Sequence, residues 1–338
     1  MSALRLALPS EGALYEGTQS FLQSCGLKVS RANSRRYTAS IASVPGVEVL
    51  FQRQSDVTGE VDEGSADMGI VGLDRFYESR LENGDTRLIG DGAGFGYSDL
   101  VIAVPDSWLD ITSVSDLADL ALEYHEKGKD LRIATKYARL VKRFLNENGI
   151  NYFSLVPTSG GIEAAPIMGY ADLIADITAT GVTLRENQLR PLIDGVVISS
   201  QAVMIGNVRL LADDKEKLAV TREILERTEA STRARRYQRV SANMVAANME
   251  DAAQRVMTRT EFAGIDGPSV SRVFSNREGD WFNVQVVVPR DSLLQTVDHF
   301  RRLGGASITV NEASYVFRRE CEAYEGLLKA IEQYRTGQ

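Results

Sequence analysis

Cysteine and histidine are both scarce in this sequence of 338 residues. The two cysteines, Cys25 and Cys321, lie far apart in the chain, which argues against a disulfide framework or a zinc site built from several cysteines and for a reducing compartment. The two histidines are His125 and His299, and we interpret both as structural or solvated. Any chemistry therefore has to come from other side chains.

Surplus positive charge and long apolar runs are missing too. The net charge is −8, so a broad surface for nucleic acid or for an anionic membrane is not expected, although local basic pockets remain open. Nowhere do 18 apolar residues occur together, and the apolar run in MSALRLALPSEG is too short for the core of a signal peptide. We predict a cytoplasmic protein with neither nucleic acid nor membrane as a partner.

Alternating strand and helix patterns make up the first two thirds of the chain. Apolar residues are 43% and charged residues 25% of the sequence, as in ordinary globular proteins, and the length suggests two or three domains. The alternation predicts an α/β fold with two lobes around a cleft, the architecture of periplasmic solute-binding proteins, in which the segment after Pro191 returns to the first sheet. Ligands in such folds bind in the cleft, near the carboxyl ends of strands.

The predicted domain boundaries follow changes in composition. A charged helical stretch precedes a βαββαβ order that is typical of ferredoxin-like and ACT-like regulatory domains. The predicted parts are lobe I at 1–106 and 195–212, lobe II at 107–194, a connecting helix at 213–235, a regulatory domain at 236–317 and a C-terminal helix at 318–338.

The stretch DITATGVTLRENQL, from Asp176 to Leu189, sets two threonines around one glycine between a strand and a helical pattern. Backbone N–H groups at a helix start, the hydroxyls of Thr180 and Thr183 and a glycine that leaves room for an anion are what a phosphate needs. The alternative is an ordinary cap, with Thr180 as the N-cap residue and Gly181 easing the turn. The pattern alone leaves both interpretations open.

This stretch resembles the phosphoribosyl-binding signature of the long-form ATP phosphoribosyltransferases of histidine biosynthesis. The matching positions are Asp176, Thr180, Gly181, Thr183, Leu184, Asn187 and Leu189. The segments GGIEAAPIMGYADLIAD, ADMGIVGLD and RIATKYARLVKRFL resemble further parts of that family, and the resemblance covers residues 4 to 317.

The resemblance implies transfer of the phosphoribosyl group from phosphoribosyl pyrophosphate to N1 of the adenine of ATP, with release of pyrophosphate and with Mg²⁺ present. It implies a loop for the 5′-phosphate, formed by Thr178, Ala179, Thr180, Gly181, Val182 and Thr183. It also implies that Glu163 and Asp176 bind the ribose hydroxyls. Positions matching the family's nucleotide or pyrophosphate site are Gly12, Arg36, Arg53 and Asp74, and the metal ligands stay unassigned.

Plainer interpretations of some of these residues stay open. Glu163 can be a solvated acid in a first helical turn, and Arg36 and Arg53 can be surface charges. Asp67, in ADMGIVG, can serve only to shape the start of a strand.

The first loop departs from the family. It reads PSEGAL, with Ser10, Glu11 and Ala13 where the family carries positive charge, and Asp99 stands where arginine is frequent. Either cations such as Arg36, Arg53 or Lys136 compensate, or the acceptor is not ATP. The alternative functions are a paralogue with the same phosphoribosyl site and another acceptor, and a non-catalytic small-molecule-binding protein.

The segment 236–317 resembles the family's regulatory domain through GDWFNVQVVVP and LGGASITV. The resemblance implies inhibition by histidine and a homo-oligomer, either dimer or hexamer. Ala306 and Ser307 are our candidates for the regulatory site. The alternative is a structural oligomerisation domain, since an exposed sheet edge can pair without binding a ligand.

Overall fold

The computed structural model describes residues 3–33, 35–90, 92–158 and 160–337, so the outermost residues of the predicted domain ranges lie outside the described residues. The strands are β1 (Leu4–Pro9), β2 (Val29–Ser30), β3 (Thr38–Ile41), β4 (Val47–Gln52), β5 (Met68–Gly72), β6 (Thr86–Leu88), β7 (Ser98–Pro105), β8 (Leu131–Thr135), β9 (Phe153–Pro157), β10 (Leu173–Thr178), β11 (Leu189–Ser200), β12 (Ala202–Asn207), β13 (Tyr237–Val245), β14 (Ser269–Val273), β15 (Trp281–Pro289) and β16 (Ala306–Glu312). The α-helices are α1 (Gly12–Ser24), α2 (Val57–Asp62), α3 (Leu73–Ser79), α4 (Val114–Glu126), α5 (Ala138–Glu147), α6 (Val182–Glu186), α7 (Val208–Asp213), α8 (Lys215–Ala234), α9 (Met249–Met257), α10 (Leu293–Arg302) and α11 (Glu322–Thr336).

The chain divides into two compact units. The first comprises the described residues within Met1–Gln23, Leu27–Arg222 and Tyr324–Gln338, and the second comprises Ser24–Gly26 and Glu223–Ala323. In the part of the chain that the structure describes, no helix is both long and apolar enough to cross a membrane.

Lobe I of the first unit is built on a seven-stranded sheet in the order β2-β3-β4-β1-β5-β12-β6. Strand β1 runs parallel to both β4 and β5, while β12 returns antiparallel to β5. Helices α2 and α3 cover one side through Val57, Val61 and Phe76, which pack with Ala7 and Ile205 of the sheet. Because β4, β1 and β5 are parallel, the loops that follow them lie along one edge of this sheet.

Lobe II is built on a five-stranded sheet in the order β11-β7-β10-β8-β9. Strands β8, β9 and β10 are parallel, and β7 runs antiparallel to β10 and β11. Helix α4 begins with a capping box between Ser113 and Asp116 and buries Leu117 and Ala121 against the sheet. Helix α5 packs on the same side through Val141 and Leu145.

The lobe boundary predicted at 106 has to be corrected, because β7 pairs in the sheet of lobe II. Alternate side chains of β7 enter two different cores of this lobe: Leu100 and Ile102 one of them, Val101 and Ala103 the other. The end of β11, which we predicted to begin the return to lobe I, also pairs with β7. The chain therefore returns to lobe I only at β12, after a break at Gln201.

Two crossings join the lobes and run side by side. One lies between β6 and β7, and the other lies between β11 and β12. The amide of Ala93 donates a hydrogen bond to the carbonyl of Ala202, and the amide of Ala202 donates to the carbonyl of Phe95. These bonds fix the two crossings to each other at the carboxyl edge of lobe I.

The second unit has the predicted ferredoxin-like order, β13-α9-β14-β15-α10-β16, which confirms that part of the fold class. Its antiparallel sheet runs β14-β15-β13-β16. Burial alternates along β13 and β15, as expected for a sheet with helices on one face, where Val240 and Val284 pack against Phe300.

Candidate active site

The predicted phosphate loop follows the carboxyl end of β10. Gly181 has φ 70° and ψ 6°, a left-handed conformation that favours glycine. The hydroxyl of Thr178 accepts a hydrogen bond of 2.9 Å from the amide of Gly181, so this side chain shapes the loop. The helical pattern that we read after the threonines is correct for little more than one turn, because α6 comprises only Val182–Glu186.

Four amides of the loop have no partner within the described residues. Gly181, not Thr180, occupies the N-cap position of α6, and no side chain caps this helix, so the interpretation of Thr180 as an ordinary cap is wrong. No protein group among the described residues accepts a hydrogen bond from the amides of Ala179, Thr180, Val182 or Thr183. The loop therefore offers several free donors and two exposed threonine hydroxyls to an anion.

A cavity of about 170 Å³ adjoins this loop. Besides the loop, Glu163 and Asp176 line it, so the structure brings the predicted acids and the predicted phosphate loop together. Glu163 lies in a single 3-10 turn, Ile162–Ala164, where we expected a regular helix, and the left-handed Gly161 precedes this turn. The cavity pairs a donor-rich end with a carboxylate end.

Asp176 is half-buried and carries a perturbed carboxyl group. Burial raises its pKa, and the negative charge of Glu163 raises it further. The amide of Ile177, which donates a 2.9 Å hydrogen bond to Oδ1, and the charges of Lys136 and Arg75 lower it. Two acids that repel each other beside two cations are typical of a site that binds a polar ligand.

The two cations reach Asp176 from different lobes. Lys136 directly follows β8, whose last residue Thr135 pairs with Ala175 of β10, so Lys136 lies beside Asp176. Arg75 belongs to α3 of lobe I, and its guanidinium stacks on the ring of Tyr137 with Cζ 4.1 Å from the ring centroid.

Asp74 is 3% exposed and joins the lobes. Its Oδ2 accepts a 2.9 Å hydrogen bond from the hydroxyl of Tyr137, and its Oδ1 accepts one of 2.5 Å from Ser200. Burial and the charge of Asp74 raise the pKa of Tyr137, so this hydroxyl stays protonated and donates. We predicted Asp74 as a nucleotide or pyrophosphate ligand. Both of its oxygens bind protein donors in this structure, and its role as a ligand stays a prediction.

Helix α5 adds a second set of bonds between the lobes. The amides of Arg139 and Leu140, at the start of α5, each donate a 3.0 Å hydrogen bond to the carboxylate of Glu78 in α3. The negative side chain thus lies at the positive end of a helix, where it stabilises the contact. The side of the cleft formed by α3 and α5 is held firmly.

Gly12 and Arg53 lie at the carboxyl edge of lobe I, as predicted. Gly12 begins α1 after β1, Arg53 directly follows β4, and both are exposed. A hydrogen bond of 2.8 Å from the amide of Ser10 to the carbonyl of Gln52 holds their two loops together.

Arg36 does not lie with the loop cavity. It lines a different cavity of about 400 Å³, together with Ala3 and Val47 at the amino ends of β1 and β4. Two residues after Arg36 the chain enters β3, where Thr38 pairs with Leu50 near the carboxyl end of β4. The role of Arg36 beside the phosphates stays a prediction.

Asp67 serves the structure of lobe I. It is fully buried just before β5, and both of its oxygens accept hydrogen bonds from Lys217, at 2.8 and 2.9 Å. Arg5 also donates to it from its amide and its guanidinium. Of the two interpretations of Asp67, the structural one is confirmed.

Asp99 lies directly opposite Thr178 in the β7–β10 ladder. Residues that face each other across an antiparallel pair project to the same side of the sheet. An acid therefore lies next to the start of the phosphate loop, where it opposes the binding of an anion.

Ala306 and Ser307 lie at an irregularity of the sheet in the second unit. The register between β13 and β16 shifts between Ala306 and Thr309, and Ser307 has φ 52°, which is rare for a residue other than glycine. Their regulatory role stays a prediction.

Three residues of the site were not predicted from the sequence: Arg75, Tyr137 and Ser200. Arg75 reads as one surface charge among several in LDRFYESR, and Ser200 lies within a continuous strand pattern. Tyr137 had a usable signal, because it follows the carboxyl end of a buried strand, where ligands of α/β folds bind.

Comparison with known proteins identifies the family of this chain. The ATP phosphoribosyltransferase family profile matches residues 53–230, and a profile described as HisG, C-terminal domain, matches residues 234–314. The chain is 35% identical to ATP phosphoribosyltransferase 2, chloroplastic, of Arabidopsis thaliana, over 97% of this chain and 80% of that protein. It is 33% identical to ATP phosphoribosyltransferase of Bradyrhizobium diazoefficiens, over 93% of this chain and 94% of that protein.

A solved structure agrees. The ATP phosphoribosyl transferase (HisG:HisZ) complex from Thermotoga maritima contains a chain with a TM-score of 0.51 and 26% identity, covering 67% of this chain and 98% of that one. The predicted family, with the long form's additional domain, is confirmed, and so is its pentosyl-transfer activity. This chain belongs to the ATP phosphoribosyltransferase family.

Proposed function

We propose that the loop cavity of lobe II holds the phosphoribosyl pyrophosphate that this enzyme uses to modify N1 of ATP in the first step of histidine biosynthesis. The observation that carries this proposal is the pairing of free loop amides with two carboxylates in one small cavity. A 5′-phosphate needs the amides and hydroxyls, and a ribose needs acceptors for its 2′- and 3′-hydroxyls. The loop Thr178–Thr183 binds the phosphate, and Asp176 and Glu163 bind the hydroxyls.

The reaction breaks the bond between C1 of the ribose and the pyrophosphate oxygen and forms a bond from C1 to N1 of adenine. Positive charge develops on the ribose and negative charge on the departing pyrophosphate. The carboxylates of Asp176 and Glu163, on the ribose side, stabilise the former, and cations of the cleft stabilise the latter. No covalent nucleophile is needed.

The acids suit a magnesium ion that substrate phosphates help to bind. Among the described residues, no group of three or more histidine, cysteine or carboxylate side chains could hold a metal by itself. Mg²⁺ needs only one or two carboxylates when phosphates and water complete its shell, and Asp176 with Glu163 supplies that number. When bound, Mg²⁺ neutralises charge on the pyrophosphate.

Regulation and assembly complete the proposal. The second unit binds histidine as an inhibitor, with Ala306 and Ser307 at the irregular turn of β16 as the first residues to test, and the enzyme works as a homo-oligomer, a dimer or a hexamer. A cytoplasmic location stays a prediction.

A second candidate function keeps the phosphoribosyl site and changes the acceptor. Asp99 beside Thr178, and the exposed Glu11 where positive charge was expected, favour it because both acids repel a triphosphate.

The test measures turnover of ATP and phosphoribosyl pyrophosphate with Mg²⁺ and pyrophosphatase, by the ultraviolet absorbance of phosphoribosyl-ATP. Thr180→Ala should lower kcat/KM for phosphoribosyl pyrophosphate by roughly tenfold or more, because a hydrogen bond to a charged phosphate is lost. The matched control is Thr336→Ala, at an exposed position in the last turn of α11.

Two outcomes would contradict the proposal. Unchanged kinetics of Thr180→Ala would remove the loop's role. Binding of phosphoribosyl pyrophosphate without turnover of ATP would favour the second candidate, and other acceptors should then be screened. Added histidine tests the regulatory part in the same assay.

A further inference from the structure

Arg75 is a partly buried cation whose hydrogen-bond donors are not used by any of the described residues. Its side chain is 19% exposed, and its nearest ion-pair partner, Oδ2 of Asp74, lies 4.0 Å from Nε, which is beyond hydrogen-bond distance. Within the described residues, no hydrogen bond from its guanidinium is found, although this group has five N–H donors. None of its nitrogen atoms is among the buried side-chain atoms without a partner, so these donors are open to a ligand from solvent.

Other partly buried arginines of this unit behave differently. Arg5 bonds to Asp67 and to a carbonyl, Arg132 forms a paired contact with Asp172, and Arg190 donates to two carbonyls. Arg75 differs because its main contact is a ring face, which positions the guanidinium and leaves its N–H groups available.

Arg75 lies away from the phosphate loop and close to Asp176, one of the two acids that we propose to bind the ribose hydroxyls. It is not among the residues that line the loop cavity, so it is not placed to bind the 5′-phosphate. Tyr137, under its guanidinium, follows β8 by two residues, and Asp176 is in the neighbouring strand β10 at the same edge. Its charge is close enough to lower the pKa of Asp176.

The covalent structure of phosphoribosyl pyrophosphate indicates which part of this substrate lies next to Arg75. In phosphoribosyl pyrophosphate the 5′-phosphate is at one end of the sugar, and the diphosphate is bonded to C1, next to the 2′-hydroxyl. A cation beside the acid that binds the ribose hydroxyls, and away from the 5′-phosphate loop, therefore faces the diphosphate end. A planar guanidinium matches two phosphate oxygens at once.

We propose that Arg75 binds the diphosphate of phosphoribosyl pyrophosphate, and that Tyr137 and Asp74 hold its guanidinium in place for this contact. The proposal rests on the function proposed above. It supplies, from α3, the positive charge that Ser10, Glu11 and Ala13 do not provide in the first loop.

Calorimetric titration of the full chain with three probes tests this proposal without turnover: inorganic pyrophosphate with Mg²⁺, phosphoribosyl pyrophosphate with Mg²⁺, and ribose 5-phosphate. Arg75→Met should weaken binding of the two diphosphate probes by roughly 10- to 100-fold, as expected for lost hydrogen bonds to a charged group. Binding of ribose 5-phosphate should be unchanged, because this probe has no diphosphate. Arg75→Lys should recover part of the loss.

The matched control is Arg143→Met, which removes one exposed arginine that pairs with Glu147 on α5. Should Arg75→Met fail to fold, as judged by circular dichroism, Arg75→Lys replaces it, with a smaller loss expected for the same two probes. Equal weakening of all three probes would mean a structural role and would overturn the proposal, and so would unchanged pyrophosphate affinity.

Failure of the proposed function gives a different result. If the unmodified chain binds neither phosphoribosyl pyrophosphate nor pyrophosphate, both proposals are wrong. If it binds both through Arg75 but does not turn over ATP, the diphosphate contact is supported and the acceptor is another molecule.

Discussion

Two buried aspartates lie at opposite ends of β5, and they differ in how their charge is met. Asp67, before the amino end, is enclosed by Arg5 and by the ammonium of Lys217. Asp74, just beyond the carboxyl end, binds the neutral hydroxyls of Tyr137 and Ser200. One carboxylate is fully paired with cations, while the other is held by neutral donors.

The difference shows where this lobe leaves positive charge available. At the amino end of β5 the cations Arg5 and Lys217 are both bound to Asp67. At the carboxyl end Arg75 lies too far from Asp74 for a hydrogen bond and keeps its donors. Ligands of α/β folds bind at the carboxyl ends of strands. In lobe I, the end of β5 at which a cation keeps its donors is this carboxyl end.

Replacing Asp67 should produce the largest effect. Asp67→Ala leaves the largely buried Lys217 next to Arg5 without a counter-charge, which should lower the free energy of unfolding by about 3–5 kcal/mol. Urea denaturation measures the change. Phosphoribosyl pyrophosphate affinity of the folded protein should persist, because the amino end of β5 is remote from the loop.

The control for this variant is Glu147→Ala, which breaks an exposed ion pair with Arg143 and should cost no more than about 1 kcal/mol. If Asp67→Ala were as mild as this control, the buried cluster would not stabilise lobe I.

Tyr137 allows the hydroxyl and the ring to be separated at the other end. Tyr137→Phe removes the donor to Asp74 and should cost about 1–3 kcal/mol, because a buried carboxylate oxygen loses its partner. The ring under Arg75 remains, so pyrophosphate affinity should be largely kept. Tyr137→Leu loses both, and calorimetry should then show weaker binding of pyrophosphate.

Equal pyrophosphate affinity in the Phe and Leu variants would mean that the ring does not position Arg75. Urea denaturation of both variants shows whether their stabilities differ.

The sequence predicted the two lobes, the ferredoxin-like order and the position of the Thr-Gly loop after β10, but not the contacts between the lobes. Short-range patterns identify a strand that ends in a Thr-Gly turn, because the residues that form the loop are adjacent in the chain. The contact of Asp74 with Ser200 joins residues 126 apart, and nothing in either segment marks the other. The same limit explains the wrong lobe boundary: β7 has the apolar pattern of any buried strand, and pairing alone assigns it to lobe II.

Charge was the least predictable property of the site. Arg36, Arg53 and Arg75 look alike in the sequence, yet one lines another cavity, one is exposed and one stacks on a tyrosine. Only the fold determines which arginine keeps its donors near Asp176.

The loop of lobe II offers a test that is independent of both aspartates. Thr178→Val removes the hydroxyl that accepts from the amide of Gly181, which should cost about 1 kcal/mol and weaken the binding of ribose 5-phosphate. Thr178→Ser keeps the hydroxyl and serves as the control. Equal loss of affinity in both variants would show that the methyl group, and not the hydrogen bond, shapes the loop.

The smallest expected effect is a displacement of the pH profile, and it tests the balance of charge around Asp176. Only the ionised carboxylate makes the strong bonds to ribose hydroxyls, so kcat/KM for phosphoribosyl pyrophosphate should fall as the pH drops through its pKa. Burial and Glu163 raise this pKa, and Lys136 lowers it. Glu163→Gln should therefore move the acid limb to lower pH, and Lys136→Met should move it to higher pH.

Shifts of the acid limb in opposite directions distinguish a change in the pKa of Asp176 from a general loss of activity. Glu147→Gln, at an exposed position on α5, should leave the acid limb in place, and movement of both site variants in the same direction would contradict the assignment of Asp176. The contribution of the Asp176 carboxyl to stability changes with pH in the opposite direction to its contribution to binding. Because folding raises this pKa, the carboxyl favours the native state at low pH, and that contribution is lost as the pH rises through the raised value. Asp176 therefore gains its ability to bind ribose over the same pH range in which it stops stabilising the fold.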